Sequence, residues 1–323
     1  MKNFWEIDSQ SAFEDLALKT FYFQYENNSV YQSFCNLINR HPSKVRAVKD
    51  IPHLPISFFK SKSVCCFEAD DAKFFSSSTI KGGSPSKHYY RQLEDYKISF
   101  QNGFEYFFGA IDNFTVLALL PSYMERDGSS LIYMADDMIR NSQKAESGFY
   151  LNQWESLKEK INQLEEKGQK TLILGVSFAL LDFVENHSFH LQNTLIMETG
   201  GMKGRRKELT RDALHNQLKK GFGVPIIYSE YGMTELLSQA YSKGNGIFEC
   251  PPWMNVFARE IQDPFNQLPL GKIGGLNIID LANRDSCAFI ATEDLAKVHS
   301  HSHFEVLGRL DDSEIRGCNL IVV

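Results

Sequence analysis

The sequence lacks both a long apolar segment and a surplus of basic residues. Its longest apolar runs, residues 114–120 and 172–183, are shorter than the ~18 residues that a membrane-spanning helix needs. Among 323 residues, 34 Lys and Arg stand against 40 Asp and Glu, for a net charge of -6. Nucleic-acid binding relies on clustered positive charge, so we expect neither a nucleic-acid partner nor a membrane span.

Signals for secretion and for a cysteine metal site are also missing. The first ten residues carry acids and no apolar run, so we predict no secretory signal and a cytoplasmic location. The six cysteines show neither a CxxC pair nor the spacing of a zinc site, and without a secretory signal they are expected to be reduced thiols. The sequence contains no repeat and no low-complexity tract.

Apolar residues are plentiful and indicate a globular α/β protein. They make up 43% of the chain, and 25 residues are Phe, which suits a roomy apolar pocket. Apolar runs alternate with helical patterns, which predicts a mainly parallel sheet covered by helices over residues 1–241. Short strand-like runs bounded by Gly and Pro then predict a smaller β-rich lobe over residues 242–308, followed by a tail over residues 309–323.

Individual elements can be predicted from the same patterns. Helices are expected over residues 91–107, 154–167, 178–186 and 210–220, the last closed by Gly221. Strands are expected over residues 115–120, 171–175, 194–197 and 224–228, and in the β-rich lobe over residues 254–258, 275–279, 288–292 and 304–307.

A loop rich in Ser, Thr and Gly follows the predicted strand end Phe74-Phe75. It runs from Ser76 to Lys87 and supplies hydroxyls, two glycines and two lysines. Backbone N–H groups and a lysine both favour a bound anion, so this loop is a candidate phosphate site. It is not a Walker A motif, and a flexible surface loop is the alternative.

A second candidate segment, YSEYGMTE over residues 228–235, follows another predicted strand. Its aromatic, glycine, hydroxyl and carboxylate groups suit base stacking, close approach to a nucleotide, a phosphate contact and a Mg²⁺ ligand. The alternative is an ordinary strand–helix connection in which Thr234 is the N-cap of the helix.

Taken in order along the chain, these segments resemble the adenylate-forming superfamily of acyl-CoA synthetases, adenylation domains and luciferases. The order comprises the Ser/Thr/Gly/Lys loop, Gly200-Gly201, YGMTE, Thr292-Glu293-Asp294 and GRLDD over residues 308–312. Three further segments, ISFFK at 56–60, CPPWM at 250–254 and EIRGCNL at 314–320, resemble the acyl-protein synthetase (LuxE-like) branch, which activates fatty acids for a reductase complex.

The resemblance implies a role for each matching residue. The phosphate loop would comprise Ser76, Ser77, Ser78, Thr79, Gly82, Gly83 and Lys87. The adenine pocket would be lined by Gly200, Gly201, Tyr231 and Gly232, next to Met233. Thr234 would contact the α-phosphate, Glu235 would hold Mg²⁺, and Asp294 with Arg309 would bind the ribose. Ser177 and Phe178 would form a wall of the acyl pocket. The cofactors implied are ATP and Mg²⁺.

This sequence departs from the usual pattern of the superfamily in three ways. Ser78 and Ile80 replace a Gly and a Thr of the usual phosphate loop, and Glu293 replaces the Gly before Asp294. The superfamily's C-terminal domain, with its catalytic lysine, is expected to be missing or vestigial, because the sequence runs only 14 residues past Arg309. Acyl-protein synthetases carry the acyl group on a cysteine near the C-terminus, which would be Cys318. Arg316 beside it would favour the nucleophilic thiolate.

The sequence supports other hypotheses as well. The final acceptor could instead be CoA, a carrier protein, an acyl reductase or an acyltransferase partner. GVSFA at 175–179 nearly matches a hydrolase nucleophile elbow, which would make Ser177 a nucleophile with Asp280 or Asp294 and one of the histidines at 299–303. Those alternating histidines could also bind zinc or copper, although an exposed hairpin fits them too. A binding module without catalysis is a further alternative, and the set Thr234, Glu235, Asp294 and Arg309 argues against it.

Overall fold

The computed structural model describes residues 3–77, 84–121, 128–200 and 209–310. Its eight helices in this part of the chain are α1 (Gln10–Asn27), α2 (Ser29–Leu37), α3 (Phe58–Ser61), α4 (Leu93–Phe108), α5 (Ser130–Ser142), α6 (Trp154–Glu166), α7 (Ser177–Asn186) and α8 (Arg211–Phe222). Within these residues no helix is both long and apolar enough to cross a membrane.

Fourteen strands accompany the helices in the described ranges. The first seven are β1 (Leu54–Pro55), β2 (Phe74–Ser76), β3 (Lys87–Tyr89), β4 (Thr115–Leu119), β5 (Gly148–Phe149), β6 (Thr171–Val176) and β7 (Thr194–Thr199). The other seven are β8 (Tyr228–Tyr231), β9 (Ala240–Ser242), β10 (Ile247–Glu249), β11 (Met254–Arg259), β12 (Ile273–Asp280), β13 (Phe289–Ser300) and β14 (His303–Arg309).

The chain divides into two compact units. We call residues 74–85 and 94–248 the α/β unit, and residues 1–73, 86–93 and 249–323 the β unit. The predicted division of the chain into an adenylation domain and a tail stays a prediction.

The α/β unit is built on a mainly parallel sheet. Its strand order is β9-β8-β7-β6-β4-β5, and β9 alone in this order runs antiparallel to its neighbour. Every residue of β4 and β6 is buried, as expected for parallel strands covered on both faces. The predicted fold class, helix-covered parallel strands with additional β structure, is therefore confirmed.

The β unit combines antiparallel strands with N-terminal helices. Strands β11, β12, β13 and β14 pair in sequence order, and β1 pairs parallel to β13. In α1, the fully buried Gln24 donates from Nε2 to the carbonyl oxygens of Asn283 and Arg284, at 2.9 and 2.7 Å, and its Oε1 accepts from the Ala288 N–H. A buried amide thus joins the start of the chain to the connection between β12 and β13.

Three sequence-based boundaries are clearly wrong. The strand predicted over residues 288–292 continues to Ser300 as β13, because its pairing with β12 and β14 extends past Asp294. Helix α8 continues through Gly221 and ends at Gly223, where φ is +65°. A Cβ at Gly221 would lie 2.4 Å from Cβ of Val184, so this glycine allows α8 to approach α7 closely. The strand predicted over residues 224–228 instead covers Tyr228–Tyr231.

Replacing Gly223 with Ala is expected to destabilise the protein strongly. The left-handed backbone costs a non-glycine residue about 1–2 kcal/mol, and the new Cβ would lie 2.3 Å from the carbonyl oxygen of Phe189. Overpacking of this kind adds about 1–3 kcal/mol. Gly168→Ala is the matched control, because Gly168 has φ +64° but nothing within 4 Å of its Cβ position. Urea denaturation should show the larger loss for Gly223→Ala, and equal losses would contradict this packing.

Candidate functional site

The carboxyl ends of β6, β7 and β8 lie side by side in the α/β unit. The register pairs Val176 with Thr199, and Thr199 with Glu230. Ser177 and Gly200 therefore follow neighbouring strand ends, and Tyr231 is the last residue of the next strand, β8. In open α/β sheets, ligands bind outside this edge of the sheet.

Ser177 forms two short hydrogen bonds at this edge. Its hydroxyl donates to Oε2 of Glu198 at 2.9 Å and lies 2.6 Å from the carbonyl oxygen of Gly200. The side chain is almost completely buried. This hydroxyl therefore fastens the turn after β7 to the start of α7, and its contacts are with two acceptors rather than with an imidazole base.

Two buried carboxylates occupy the ends of β7 and β8. Glu198 also faces Nε2 of His215 at 3.5 Å, and the same nitrogen lies 3.3 Å from the Ser229 hydroxyl. Glu230 accepts a hydrogen bond from the Thr199 hydroxyl. A buried carboxylate is tolerated when it is hydrogen-bonded, so these contacts hold the sheet edge in one arrangement.

The segment from Tyr231 to Glu235 turns back instead of starting a helix. Thr234 and Glu235 lie in a turn in which the Leu236 N–H donates to the Met233 carbonyl at 3.1 Å, and the chain then enters β9. The alternative in which Thr234 caps a helix is therefore wrong. Glu235 is buried, whereas the preceding Thr234 is half-buried.

Gly232 is fixed by its neighbours. A Cβ at this position would lie 2.4 Å from Oε1 of Glu230 and 3.4 Å from Cγ of Gln239. Any larger residue would displace the carboxylate that Thr199 holds. Packing against Glu230 therefore explains why position 232 of YGMTE is a glycine, whether or not a nucleotide binds there.

Asp294 and Arg309 are brought together in the β unit. They are paired in the register of β13 with β14, and Nε of Arg309 lies 3.9 Å from Oδ1 of Asp294. Arg309 also donates to Glu293 at 2.8 Å, and Nζ of Lys60 lies 3.8 Å from the same carboxylate. Glu293, at the position of the usual glycine, thus has two cationic partners.

Arg259, at the end of β11, supports β12 and β13. Its guanidinium donates to the carbonyl oxygens of Leu276 and Thr292, at 2.8 and 2.6 Å. A Cβ at Gly275 would lie 2.6 Å from Cζ of Arg259, so the glycine makes room for the guanidinium. Burial lowers the pKa of Arg259 to about 10, while the charges of Asp294 and Glu293 act to raise it.

The phosphate-loop prediction is only partly covered by the structure. Ser76 ends β2 and is half-buried, and its N–H donates to the Gly128 carbonyl at 2.7 Å. Ser77 follows it, and Lys87 opens β3 with an exposed side chain. Several predicted site residues lie outside the described residues, namely Ser78, Thr79, Gly82, Gly83, Gly201 and Cys318.

The histidines at 299–303 have separate partners. His299 lies 2.5 Å from Glu305, His301 packs on the Phe257 ring at 4.6 Å, and His303 contacts the hydroxyls of Ser300 and Ser302. Across the described ranges, no group of three His, Cys, Asp or Glu side chains is arranged to hold a metal ion. These contacts favour a hairpin over a zinc or copper site.

Sequence reasoning assigned no role to Glu198, His215, Glu230 or Arg259, although Glu198 and Glu230 lie in the candidate segments. Glu198 carries a usable signal, because an acid that ends the apolar run Leu-Ile-Met must find a partner. Arg259 ends a similar run, and the Gly-Gly pair on the next strand is the matching signal. His215 and Glu230 carry no local signal, since their partners come from other strands.

The fold is similar to that of solved acid ligases. An open conformation of 2-hydroxyisobutyryl-CoA ligase with 2-HIB-AMP and CoA matches with a TM-score of 0.66 at 11% identity, covering 94% of this chain and 75% of that one. Its postadenylation state with 2-HIB-AMP matches with a TM-score of 0.69 at 11% identity, covering 94% and 68%.

A second ligase shows a more limited similarity. ATP-bound MatB from Rhodopseudomonas palustris matches with a TM-score of 0.52 at 16% identity, covering 75% of this chain. The match covers 49% of MatB, so this chain corresponds to about half of that protein. No family model matches the sequence, and the search of curated proteins finds no match. At these identities the similarity establishes a fold shared with these ligases.

Thr199→Val should destabilise the protein by about 1–3 kcal/mol, because it leaves the buried Glu230 carboxylate without the hydroxyl that donates to it. Thr115→Val is the matched control on β4. The Thr115 hydroxyl is buried without a hydrogen-bond partner in the described structure, so its removal should be neutral or stabilising. Chemical denaturation of both variants tests this, and an unchanged Thr199→Val midpoint would contradict the assigned role.

The five described cysteines should be unreactive near neutral pH. All five are buried. Burial raises the pKa of Cys35 and Cys66 to about 12 and also raises the pKa values of Cys65, Cys250 and Cys287. A raised pKa keeps the thiol protonated at pH 7 and leaves little reactive thiolate until the pH rises toward that value.

A chromogenic disulfide reagent tests the assignment. The native protein should release at most one equivalent of thiol at pH 7, and six after denaturation, matching the six cysteines of the sequence. In the Cys318→Ser variant the native protein should release none. Rapid labelling of that variant would show that one of the five buried thiols is accessible.

Proposed function

We propose that this protein activates a carboxylic acid with ATP and then transfers the acyl group to Cys318 as a thioester. The observation that carries the proposal is the position of YGMTE, which begins at the last residue of β8 and lies beside Gly200, at the sheet edge where open α/β folds bind ligands. The fold is shared over 94% of this chain with a ligase solved with 2-HIB-AMP, which supports an adenylate as the intermediate. The reaction type is that of an acyl-protein synthetase.

The described residues fit ATP as a substrate. We assign the adenine pocket to Tyr231, Gly232 and Gly200, and the α-phosphate contact to the hydroxyl of Thr234. We assign the ribose hydroxyls to Asp294, which accepts hydrogen bonds, with Arg309 supplying positive charge. Met233 and the predicted phosphate loop, with Ser76, Ser77 and Lys87, complete the proposed ATP contacts.

Glu235 fits a Mg²⁺ ion that travels with ATP. Its carboxylate is buried at the turn after β8, and a hard oxygen ligand is what Mg²⁺ prefers. One protein carboxylate is enough for such an ion, because phosphate oxygens and water supply its other ligands. When bound, Mg²⁺ offsets the negative charge of the phosphates. Glu235 would hold it, and no other described residue is assigned to it.

The adenylation step joins two anions. An oxygen of the substrate carboxylate forms a bond with the α-phosphorus, the bond from that phosphorus to the bridging oxygen breaks, and pyrophosphate leaves. The protein contributes positioning and hydrogen bonds to the developing charge rather than covalent chemistry. Thr234 would donate to an α-phosphate oxygen during this step.

The transfer step needs a reactive thiol. The Cys318 sulfur attacks the acyl carbonyl, its proton is released, and AMP leaves as the thioester forms. Burial and raised pKa values make the five described cysteines poor nucleophiles. By elimination, Cys318 is the cysteine left for this step, in agreement with the role that the resemblance implies.

The proposed substrate is a fatty acid. Ser177 and the buried Phe178 start α7 at the same sheet edge and are assigned to a wall of the acyl pocket. Because the Ser177 hydroxyl is held by Glu198 and Gly200, it serves as a wall rather than as the nucleophile of a hydrolase. An acyl reductase, an acyltransferase or a carrier protein is the proposed recipient of the acyl group.

Intact mass after incubation with ATP, Mg²⁺ and a panel of fatty and aryl acids tests the proposal. We expect an adduct equal to one acyl group, removed by neutral hydroxylamine as a thioester would be. Cys318→Ser should abolish the adduct. Cys65→Ser is the matched control and should keep it, because Cys65 is one of the buried thiols.

The other outcomes have distinct meanings. An adduct that persists in Cys318→Ser would overturn the assignment of the acyl acceptor. Acid-dependent release of pyrophosphate without any adduct would keep adenylation and move the acceptor to another molecule. Neither adduct nor pyrophosphate with any acid would refute the proposal and leave a binding module.

A further inference from the structure

The β unit contains a cavity of about 290 Å³ that the proposed function does not use. We call it the β-unit cavity. Six residues characterise its wall, namely Arg40, Lys49, His53, Phe257, Arg259 and Phe265. The wall therefore combines three cationic side chains with aromatic surface.

Two of the cations have no carboxylate partner. In the described part of the chain, no Asp or Glu oxygen lies within 4 Å of the Arg40 or Lys49 side-chain nitrogens, although the Arg40 side chain is half-buried. A partly desolvated guanidinium without a counter-ion is costly, so this part of the wall favours a bound anion.

The acidic residues of the wall are already engaged. Asp50 accepts hydrogen bonds from the backbone N–H groups of Arg46 and Ala47, at 3.2 and 3.0 Å. Glu293 is paired with Arg309 and Lys60. These contacts engage both carboxylates with groups outside the cavity wall, and neither carboxylate forms an ion pair with Arg40 or Lys49.

The third cation of the wall, Arg259, has no anion in direct contact with it. The Arg259 guanidinium donates its hydrogen bonds to carbonyl oxygens, which are neutral acceptors, and to the side chain of Asn277 at 2.9 Å. Its charge is therefore buried with dipoles rather than with an ion in direct contact. A ligand oxyanion in the cavity would lower the electrostatic cost of this arrangement.

His53 adds a polar group to the same wall. Its Nε2 atom is buried and has no hydrogen-bond partner among the described residues. Burial and the charge of Arg259 lower the pKa of His53 to about 3, so the imidazole is neutral at pH 7. An unsatisfied buried nitrogen costs free energy, and a hydroxyl, amide or ordered water in the cavity would satisfy it.

We propose that the β-unit cavity binds a small organic oxyanion, a carboxylate or phosphate carried on a compact aromatic or apolar body. The oxyanion would meet Arg40 and Lys49, and the apolar body would pack on Phe257 and Phe265. The volume lies just below the ~300–1,000 Å³ typical of small-molecule sites, so a single ring fits it and a long acyl chain does not.

This site is separate in role from the proposed adenylation residues. None of Thr234, Glu235, Asp294 or Arg309 lines the cavity. Thr292 and Glu293 do line it, and they directly precede Asp294 on β13. The cavity therefore borders the strand that carries the proposed ribose contact.

Calorimetric titration of the full chain tests the site with four probes. Phenyl phosphate and benzoate carry the two kinds of oxyanion, and benzyl alcohol and benzamide are their neutral counterparts. We expect saturable binding of at least one oxyanion probe and weaker binding of both neutral ones. The stronger of the two anions identifies whether phosphate or carboxylate is preferred.

Two variants and one control locate the binding. Arg40→Gln should lower the affinity for the anionic probe about tenfold, because a charged hydrogen bond is lost. Phe265→Ala removes an exposed aromatic side chain from the wall without disturbing the core. It should lower the affinity for the anionic probe several-fold. Arg46→Gln is the matched control, because Arg46 is an exposed arginine that does not line the cavity, and should bind as wild type.

Three results would overturn the proposal. They are the absence of binding by all four probes at millimolar concentration, equal binding of neutral and anionic probes, and unchanged binding in both Arg40→Gln and Phe265→Ala. Each variant's melting temperature is measured alongside. If Arg40→Gln does not fold, Phe265→Ala alone decides where the probe binds.

Discussion

The burial of Glu198 and Glu230 at the carboxyl ends of β7 and β8 is the constraint on which the candidate site depends. Each carboxylate needs donors, and the parallel register supplies them from neighbouring elements: Ser177 for Glu198 and Thr199 for Glu230. Since the donors come from different elements, α7 and β7, the strand ends cannot shift independently. The turn after β7 and the YGMTE segment after β8 are thereby held beside each other.

The β unit also contains a buried charge at its sheet, but there the charge is positive. A buried guanidinium, Arg259, bridges the backbone of β12 and β13, and Gly275 leaves the space that it occupies. The strand carrying Asp294 is held from this side, while Arg309 on β14 faces Asp294 from the other. In each unit, buried charged side chains hold the strands that carry residues assigned to ATP.

Much of the fold could be predicted from the sequence because the buried parallel strands are continuous apolar runs. Strands β4, β6 and β7 and helix α6 follow the predicted pattern closely. Gly221 and Gly223 show the limit of such reasoning, since only the backbone geometry tells which of them ends α8. The contacts of Gln24 with the connection near residue 284 could not be predicted, because they join segments about 260 residues apart.

The candidate site was predictable only where the motif is contiguous. YGMTE could be located at a strand end, but Glu230, the residue before it, has its partner on β7, and no local pattern indicates that pairing. The cysteines are the complementary case. Their spacing says little, whereas the burial of five of them directs the proposed chemistry to Cys318.

Acid activation is the step on which the proposed function depends. Acid-dependent exchange of labelled pyrophosphate into ATP measures that step alone, because the exchange reports the reversible adenylation without the acceptor. We expect exchange that requires Mg²⁺ and a carboxylic acid and that persists in the Cys318→Ser variant, which lacks only the transfer step. A folded wild-type protein that shows no exchange with any acid of the panel would refute acid activation.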